Sequence, residues 1–248
     1  MADKKTKYLK MNAPLAAFKY PKLVEPDYGS KDYPNPEGVY TTKLVWDEND
    51  PKFVAFRAKM EPFLAAVEKM ADVEFAKLKK PQRDKLGSPT CNDMFVPLYN
   101  EDDTPTGQVE AKVSMKASGV VKQGTRAGKK WARKPNLFDA LGRPIKGDIE
   151  IWGGTEGIVN FSFNPAGYFI PATGAFGIKM QLEAVQVVTL RAGGEASAES
   201  YGFGAQEGGF DASQYDAPEK DGDMDDDEDS TGGDNHLPEG DPEGATDF

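Results

Sequence analysis

Residues 109–117, Val-Glu-Ala-Lys-Val-Ser-Met-Lys-Ala, alternate strictly, with apolar or small side chains at the odd positions and charged or polar ones at the even positions. In extended chain, successive side chains point to opposite faces, so this stretch predicts a strand with one face buried. Upstream, residues 39–46 (VYTTKLVW) are β-branched and aromatic. They predict an earlier strand, after a Pro- and Gly-punctuated stretch from Pro26 to Gly38 that reads as turns. Downstream, strands are expected at about 130–138, 148–152, 157–163 and 176–190. In the last of these Ile178, Met180, Leu182 and Ala184 alternate until Val185 and Val187 take over the apolar phase. Such a one-residue slip predicts a β-bulge or a sharp bend. Phe161 and Phe163 share one strand face, and burial is the expected fate of that face.

Between the first two strands the period changes. Asn49 or Asp50 can cap a helix with Pro51 in its first turn, where the missing N–H is not needed. Phe53, Phe56, Met60, Phe63, Val67 and Met70 follow at spacings of 3, 4, 3, 4 and 3. That stripe predicts an amphipathic helix over about 51–80 packed on the domain, with a kink or two abutting helices at Pro62. About five strands, one helical insertion and Gly-rich turns favour a mostly β protein, a five-stranded Greek-key barrel, over a parallel α/β sheet.

Charge is unevenly distributed. Of 41 Asp and Glu, 18 lie in residues 193–248 with a single Lys, which leaves 23 acids against 29 Lys and Arg in residues 1–192. A body of net charge +6 therefore precedes a tail of −17. The tail has almost no aliphatic residues and cannot bury enough apolar surface to offset chain entropy, so 193–248 is expected to be disordered and 1–192 to form the folded domain. The asymmetry suggests a body that binds a polyanion and a tail that imitates or repels one.

Several functions are excluded. Cys91 is the only cysteine and His236 the only histidine, which rules out a disulfide framework and four-ligand zinc sites and suggests a reducing compartment. No apolar run approaches the ~20 residues of a membrane span, and the first residues lack a hydrophobic leader. A soluble, intracellular protein with no membrane association is expected. The acidic run from Asp221 to Asp229 departs from a calcium loop at the positions that require Gly and Glu. Gly153-Gly154 lies in no phosphate-binding motif, and Cys91 has no imidazole partner for catalysis. Asp139, Asp148, Glu150 and Glu156 could in principle supply the ligands of a magnesium nuclease, but acids on strands more often face solvent. No enzyme and no cofactor are expected.

Between Glu110 and Asp139 there is no acid, while Lys112, Lys116, Lys122, Arg126, Lys129, Lys130, Arg133 and Lys134 surround Trp131. Phosphates need fixed cations and unpaired bases need flat aromatic platforms, so this run suits single-stranded nucleic acid. Tyr168 and Phe169, expected in a Pro/Gly-flanked loop, supply a further stacking candidate. Tyr20, Tyr28 and Tyr33 form another aromatic cluster, part of which is expected in the core.

Pro26-Asp27-Tyr28-Gly29, Asn35-Pro36-Glu37-Gly38-Val39-Tyr40, Asp50-Pro51, Gly153-Gly154, Lys179 to Val185 and a terminal Asp247-Phe248, in that order, resemble the small single-stranded DNA-binding proteins of podovirus replisomes. The resemblance implies an OB-fold barrel with a helix inserted between strands and binding of single-stranded DNA without sequence preference. It also implies action in phage replication, recombination and repair in the infected host's cytoplasm. Through Asp225, Asp226, Asp227, Glu228, Asp229, Asp247 and Phe248 the tail would contact the phage DNA polymerase and helicase-primase, with a tendency to form homodimers. A different reading is an acidic chaperone or nucleic-acid mimic that binds only protein, whose body would have no affinity for oligonucleotides.

Overall fold

The computed structural model describes residues 7–147 and 149–191. The acidic tail sequence, with its expected disorder and its partner-binding residues, lies outside them, as does Asp148. The elements in chain order are β1 (Leu9–Asn12), β2 (Ala16–Gly29), β3 (Pro34–Asp47), α1 (Pro51–Ala76), α2 (Lys80–Leu86), β4 (Thr90–Asn92), β5 (Val96–Tyr99), β6 (Pro105–Lys116), β7 (Ser118–Val120), β8 (Lys130–Ala132), β9 (Asn136–Phe138), β10 (Glu156–Phe163), β11 (Tyr168–Ile170), β12 (Ala175–Gly177) and β13 (Met180–Thr189).

Five of these strands close into a ring. β2 pairs β3 and β3 pairs β6 in antiparallel fashion. β6 pairs β13 in parallel, β13 pairs β10, and β10 returns to β2 through Glu156↔Ala17 and Gly157↔Ala16. This circuit, with a parallel third-to-fifth strand contact, is the five-stranded Greek-key barrel of an OB-fold. At the closure a Cβ on Gly157 would lie 2.5 Å from the Gln186 carbonyl oxygen and 2.6 Å from the Phe18 ring. Glycine is what lets the two edges approach.

The interior follows from the alternation. Leu44 and Trp46 of β3, Val113 and Met115 of β6, Phe161 and Phe163 of β10 and Leu182 and Val185 of β13 all point inward and are buried. The phase slip in the last strand is a bulge: Asn160 pairs Ala184 but Phe161 pairs Leu182, which leaves Glu183 unpaired.

Helix α1 lies between the second and third barrel strands. Asp50 caps it by accepting the Lys52 and Phe53 amides at 2.6 and 3.4 Å, and Phe53, Phe56, Met60, Val67 and Ala71 form its buried face. Trp46 stacks on Phe53 with ring centroids 5.2 Å apart, and Phe56 meets Phe161 edge-on at 6.0 Å. Each such pair contributes about 0.5–1.5 kcal/mol beyond burial. The helix runs unbroken through Pro62, and the break comes later, at 77–79. There Pro81 has no N–H to give the Lys77 carbonyl and its ring would clash with that carbonyl, and α2 begins as a separate element.

Other expectations are corrected. The stretch from Pro26 to Gly38 is mostly strand, with 30–33 alone connecting β2 to β3, and β2 carries no clean alternation in the sequence. Register shifts between Lys19 and Lys22 and between Lys22 and Asp27 absorb Pro21 and Pro26, which cannot donate to a ladder. The region around 130–138 forms two short strands separated by Pro135, and residues 149–152 form no strand because the chain turns at Trp152–Thr155. The segment 176–190 divides into β12 and β13. Tyr168 and Phe169 lie on a strand rather than in a loop, and Tyr20, Tyr28 and Tyr33 are all exposed. No helix among the described residues is long and apolar enough to cross a membrane.

Candidate nucleic-acid interface

The second and third strands of an OB barrel, with the loops joining strands one to two and four to five, form its usual ligand face. Here those strands are β3 and β6. Because Tyr40, Thr42 and Leu44 and Ala111, Val113 and Met115 point inward, Lys43, Lys112, Ser114 and Lys116 point outward. Lys19 of β2 stands opposite Lys43, and Lys43 stands opposite Lys112, so three lysines cross the wall in one row. Lys19 and Lys43 share Glu110, which is 8% exposed. Lys43 donates a hydrogen bond to Oε1, and the Lys19 ammonium lies 3.6 Å from Oε2. Beside the row Tyr20 adopts φ 52° in the β2 bulge and is 71% exposed as a residue, and the Lys19 ammonium sits 5.5 Å from its ring.

At the other end of the row a cavity of about 350 Å³ opens over Lys112 and Ser114, bounded by Tyr168, Lys179, Ile178 and Asn92–Met94. Asn92 Nδ2 donates to the Tyr168 hydroxyl at 2.8 Å and fixes the phenol at the rim. Phe169, the next residue, faces the opposite way and packs against the core.

Further along β6 the wall runs into a basic hairpin. β7 and β8 pair Gly119 with Trp131, and the half-buried indole rests on the Gly119 backbone. Arg133 ties the hairpin to the barrel: its amide and Nε donate to the Ala117 and Lys116 carbonyls at 2.8 and 3.1 Å, and its guanidinium carbon lies 5.1 Å from the Trp131 ring centroid. Lys122, Arg126, Lys129 and Lys130 are exposed around the tip, and none forms an ion pair among the described residues. Lys116 is ion-paired with Glu37. The hydrogen bond and charge of Lys116, aided by Lys122, hold the Glu37 carboxyl below its usual range.

The structure thus brings Lys112 and Tyr168 to one cavity, and Lys116, Arg133 and Trp131 to the hairpin base. It separates Lys134, which lines a different cavity with Leu23, Val24 and Phe138, and Phe169. Sequence reasoning missed Lys19, Lys43, Lys179 and Tyr20. Lys43 had a signal, because the alternation of VYTTKLVW puts it on the outward face. Two of the acids weighed for metal binding have other partners. Asp139 accepts the Leu141 and Arg143 amides, Glu150 accepts the Trp152 indole N–H at 3.0 Å, and no acid cluster with metal-binding spacing occurs among the described residues.

Residues 16–190 match the family described as single-stranded DNA-binding protein, bacteriophage T7. The single-stranded DNA-binding protein of Enterobacteria phage T3 is 29% identical over 206 residues, covering 79% of this chain and 82% of the relative. Among solved structures, a single-stranded DNA-binding protein encoded by bacteriophage T7 matches with TM-score 0.55 and 20% identity over 83% of this chain and 100% of that one. The C-terminally truncated single-stranded DNA-binding protein of bacteriophage Enc34 matches with TM-score 0.44 and 14% identity over 75% of this chain and 88% of that one. The likeness to the T7 structure shows the same fold.

Proposed function

This chain belongs to the family of the bacteriophage T7 single-stranded DNA-binding protein, and on that footing we propose that it coats unpaired DNA without reading its sequence. The observation that carries this reading is the outer wall of β3 and β6, where Lys43 and Lys112 stand opposite each other and the chain continues without an acid into the Trp131 hairpin. Phosphates follow Lys112, Arg133 and the tip cations Lys122, Arg126, Lys129 and Lys130, while bases stack on Trp131 and Tyr168. Stacking contributes about 1–3 kcal/mol per base, and each neutralised phosphate adds about −0.7 to the slope of log affinity against log salt.

The folded domain spans 1–192, and residues 193–248, with 18 acids, compete with DNA for this wall. The segment has 56 residues, and a flexible chain of that length would have an r.m.s. span of roughly 40 Å, comparable to a small barrel. When DNA displaces it, Asp225–Asp229 steer it to a basic partner and Phe248 anchors it there, the partners being the phage DNA polymerase and helicase-primase. The setting is phage replication, recombination and repair in the cytoplasm of the infected host, with dimers forming through the tails.

Fluorescence anisotropy of the full chain with oligothymidylate and with duplex, at two salt concentrations, tests the reading. Tight, salt-sensitive binding to the single strand, weaker binding to duplex and an intact probe are expected. Absence of binding at low salt would favour a protein-only module, and probe degradation in magnesium would indicate a nuclease.

A further inference from the structure

We propose that Lys19, Lys43 and Lys112 form a seat for backbone phosphodiesters in which Glu110 is a positioning residue that holds the ammonium groups of Lys19 and Lys43 in place for the DNA. The inference rests on the single-strand-binding reading above. Paired strands lie about 4.8 Å apart, so the three lysine Cα atoms fall within about 10 Å across the wall. Like charges directly opposite one another on a sheet repel, and a row of three needs compensation. Glu110, two residues from Lys112 on the same face of β6, supplies a single carboxylate, which leaves the row net positive.

Glu110 is held differently from a surface counter-ion. Its side chain is 10% exposed, against 38% for Lys19 and 37% for Lys43, and its buried Oε2 has no hydrogen-bond partner among the described residues. Withdrawing either lysine would leave a buried charge still less compensated, so both ammonium groups remain anchored. Each carries three N–H donors. Lys43 directs one at Glu110, while Lys19 stands 3.6 Å from Oε2 as an ion pair without a hydrogen bond, so the others stay free for an anion arriving from solvent. A lysine normally loses rotamer freedom when it clamps a phosphate. Here that freedom is already lost in the free protein, which is preorganisation.

The flanks fit a nucleotide strand. Tyr20, held in a backbone region that costs a bulky residue strain, presents its ring beside Lys19, and Tyr168 rims the cavity over Lys112 at the other end. A strand lying across the barrel wall would meet an aromatic ring on each side of the three cations.

Charge counting and positioning make opposite predictions for Glu110→Gln. Removing an acid from a DNA-binding face should tighten binding if only the field matters. Positioning instead predicts binding of oligothymidylate weaker by roughly 3- to 10-fold, the scale of refreezing one or two long side chains, in a full-length variant whose circular dichroism and thermal unfolding show it folded. In a Lys19→Ala, Lys43→Ala background the same change should weaken binding no further. That double variant should itself lower the magnitude of the salt slope by about 0.7 per lysine, and it decides the matter alone if Glu110→Gln does not fold. Unchanged or tighter binding by Glu110→Gln, or an unaltered slope in the lysine variant, overturns the seat while leaving the function standing. Failure of the unaltered chain to bind overturns both.

Discussion

The Trp131 indole lies so close to Gly119 across the β7–β8 pair that a Cβ on Gly119 would sit 2.7 Å from the ring. The aromatic platform of the hairpin is therefore set by the absence of a side chain on the facing strand. Trp131→Ala is expected to weaken single-strand binding by about 1–3 kcal/mol, with little loss of stability because the ring lies outside the barrel core. Gly119→Val should act in the same direction without removing the ring. DNA titrations paired with thermal unfolding check both. Unchanged affinity in both variants would remove Trp131 from the interface.

Phe56 joins the helix to the barrel. It is buried and meets the rings of Trp46, Phe95 and Phe161 at 6.0, 5.7 and 6.0 Å. Phe56→Ala is expected to cost about 3–5 kcal/mol in urea unfolding. A loss below about 1 kcal/mol would mean that α1 does not close the core.

Cys91 is exposed as a residue, but partial desolvation of its thiol, with the Asp93 carboxylate beside it, pushes the thiol up to about 11. Only the thiolate is nucleophilic, and a raised value keeps the group protonated until the pH climbs towards it. Near pH 8 the thiolate fraction is roughly 100-fold below that of an ordinary thiol of pKa near 8.5–9, and since a more basic thiolate is more nucleophilic iodoacetamide should modify Cys91 roughly 10-fold more slowly, with a rate that keeps rising to about pH 11. Asp93→Asn should speed the reaction. A rate that levels off near pH 9 would contradict the assignment.

Residues 221–248 hold 12 acids and no Lys or Arg. If this segment competes for the cationic wall, removing it should tighten DNA binding, most visibly at low salt where such competition is least screened. It should also abolish recruitment of replisome partners in pull-down assays. Weaker DNA binding by the truncated protein would exclude competition.

What was legible in the sequence was what is periodic. The alternation of 109–117, the 3–4 stripe from Phe53 to Met70 and the phase slip at Ala184–Val185 all became the elements they predict. β2 was missed because Tyr20, Pro21 and Pro26 fall in its bulges and erase the period of two. At the site, the acid-free run around Trp131 was visible as composition, and its hairpin is indeed exposed and cationic. The lysine row was hidden because it depends on register between strands distant in sequence: nothing local states that Lys43 faces Lys112, or that Lys116 is paired with Glu37 seventy-nine positions away. Tyr168 and Phe169 look equivalent in the sequence, and only their strand assigns one to a cavity rim and the other to the core.

The central claim is that one wall of the barrel, β3 and β6 together with the hairpin, holds the DNA. Hydrogen exchange of the full chain with and without oligothymidylate, read by mass spectrometry, tests it most directly. The account predicts slowed exchange in peptides covering 39–46, 109–134 and 168–180, and none attributable to α1. Protection confined to α1 or to the β1–β10 side, with the β3–β6 wall unchanged, would contradict it.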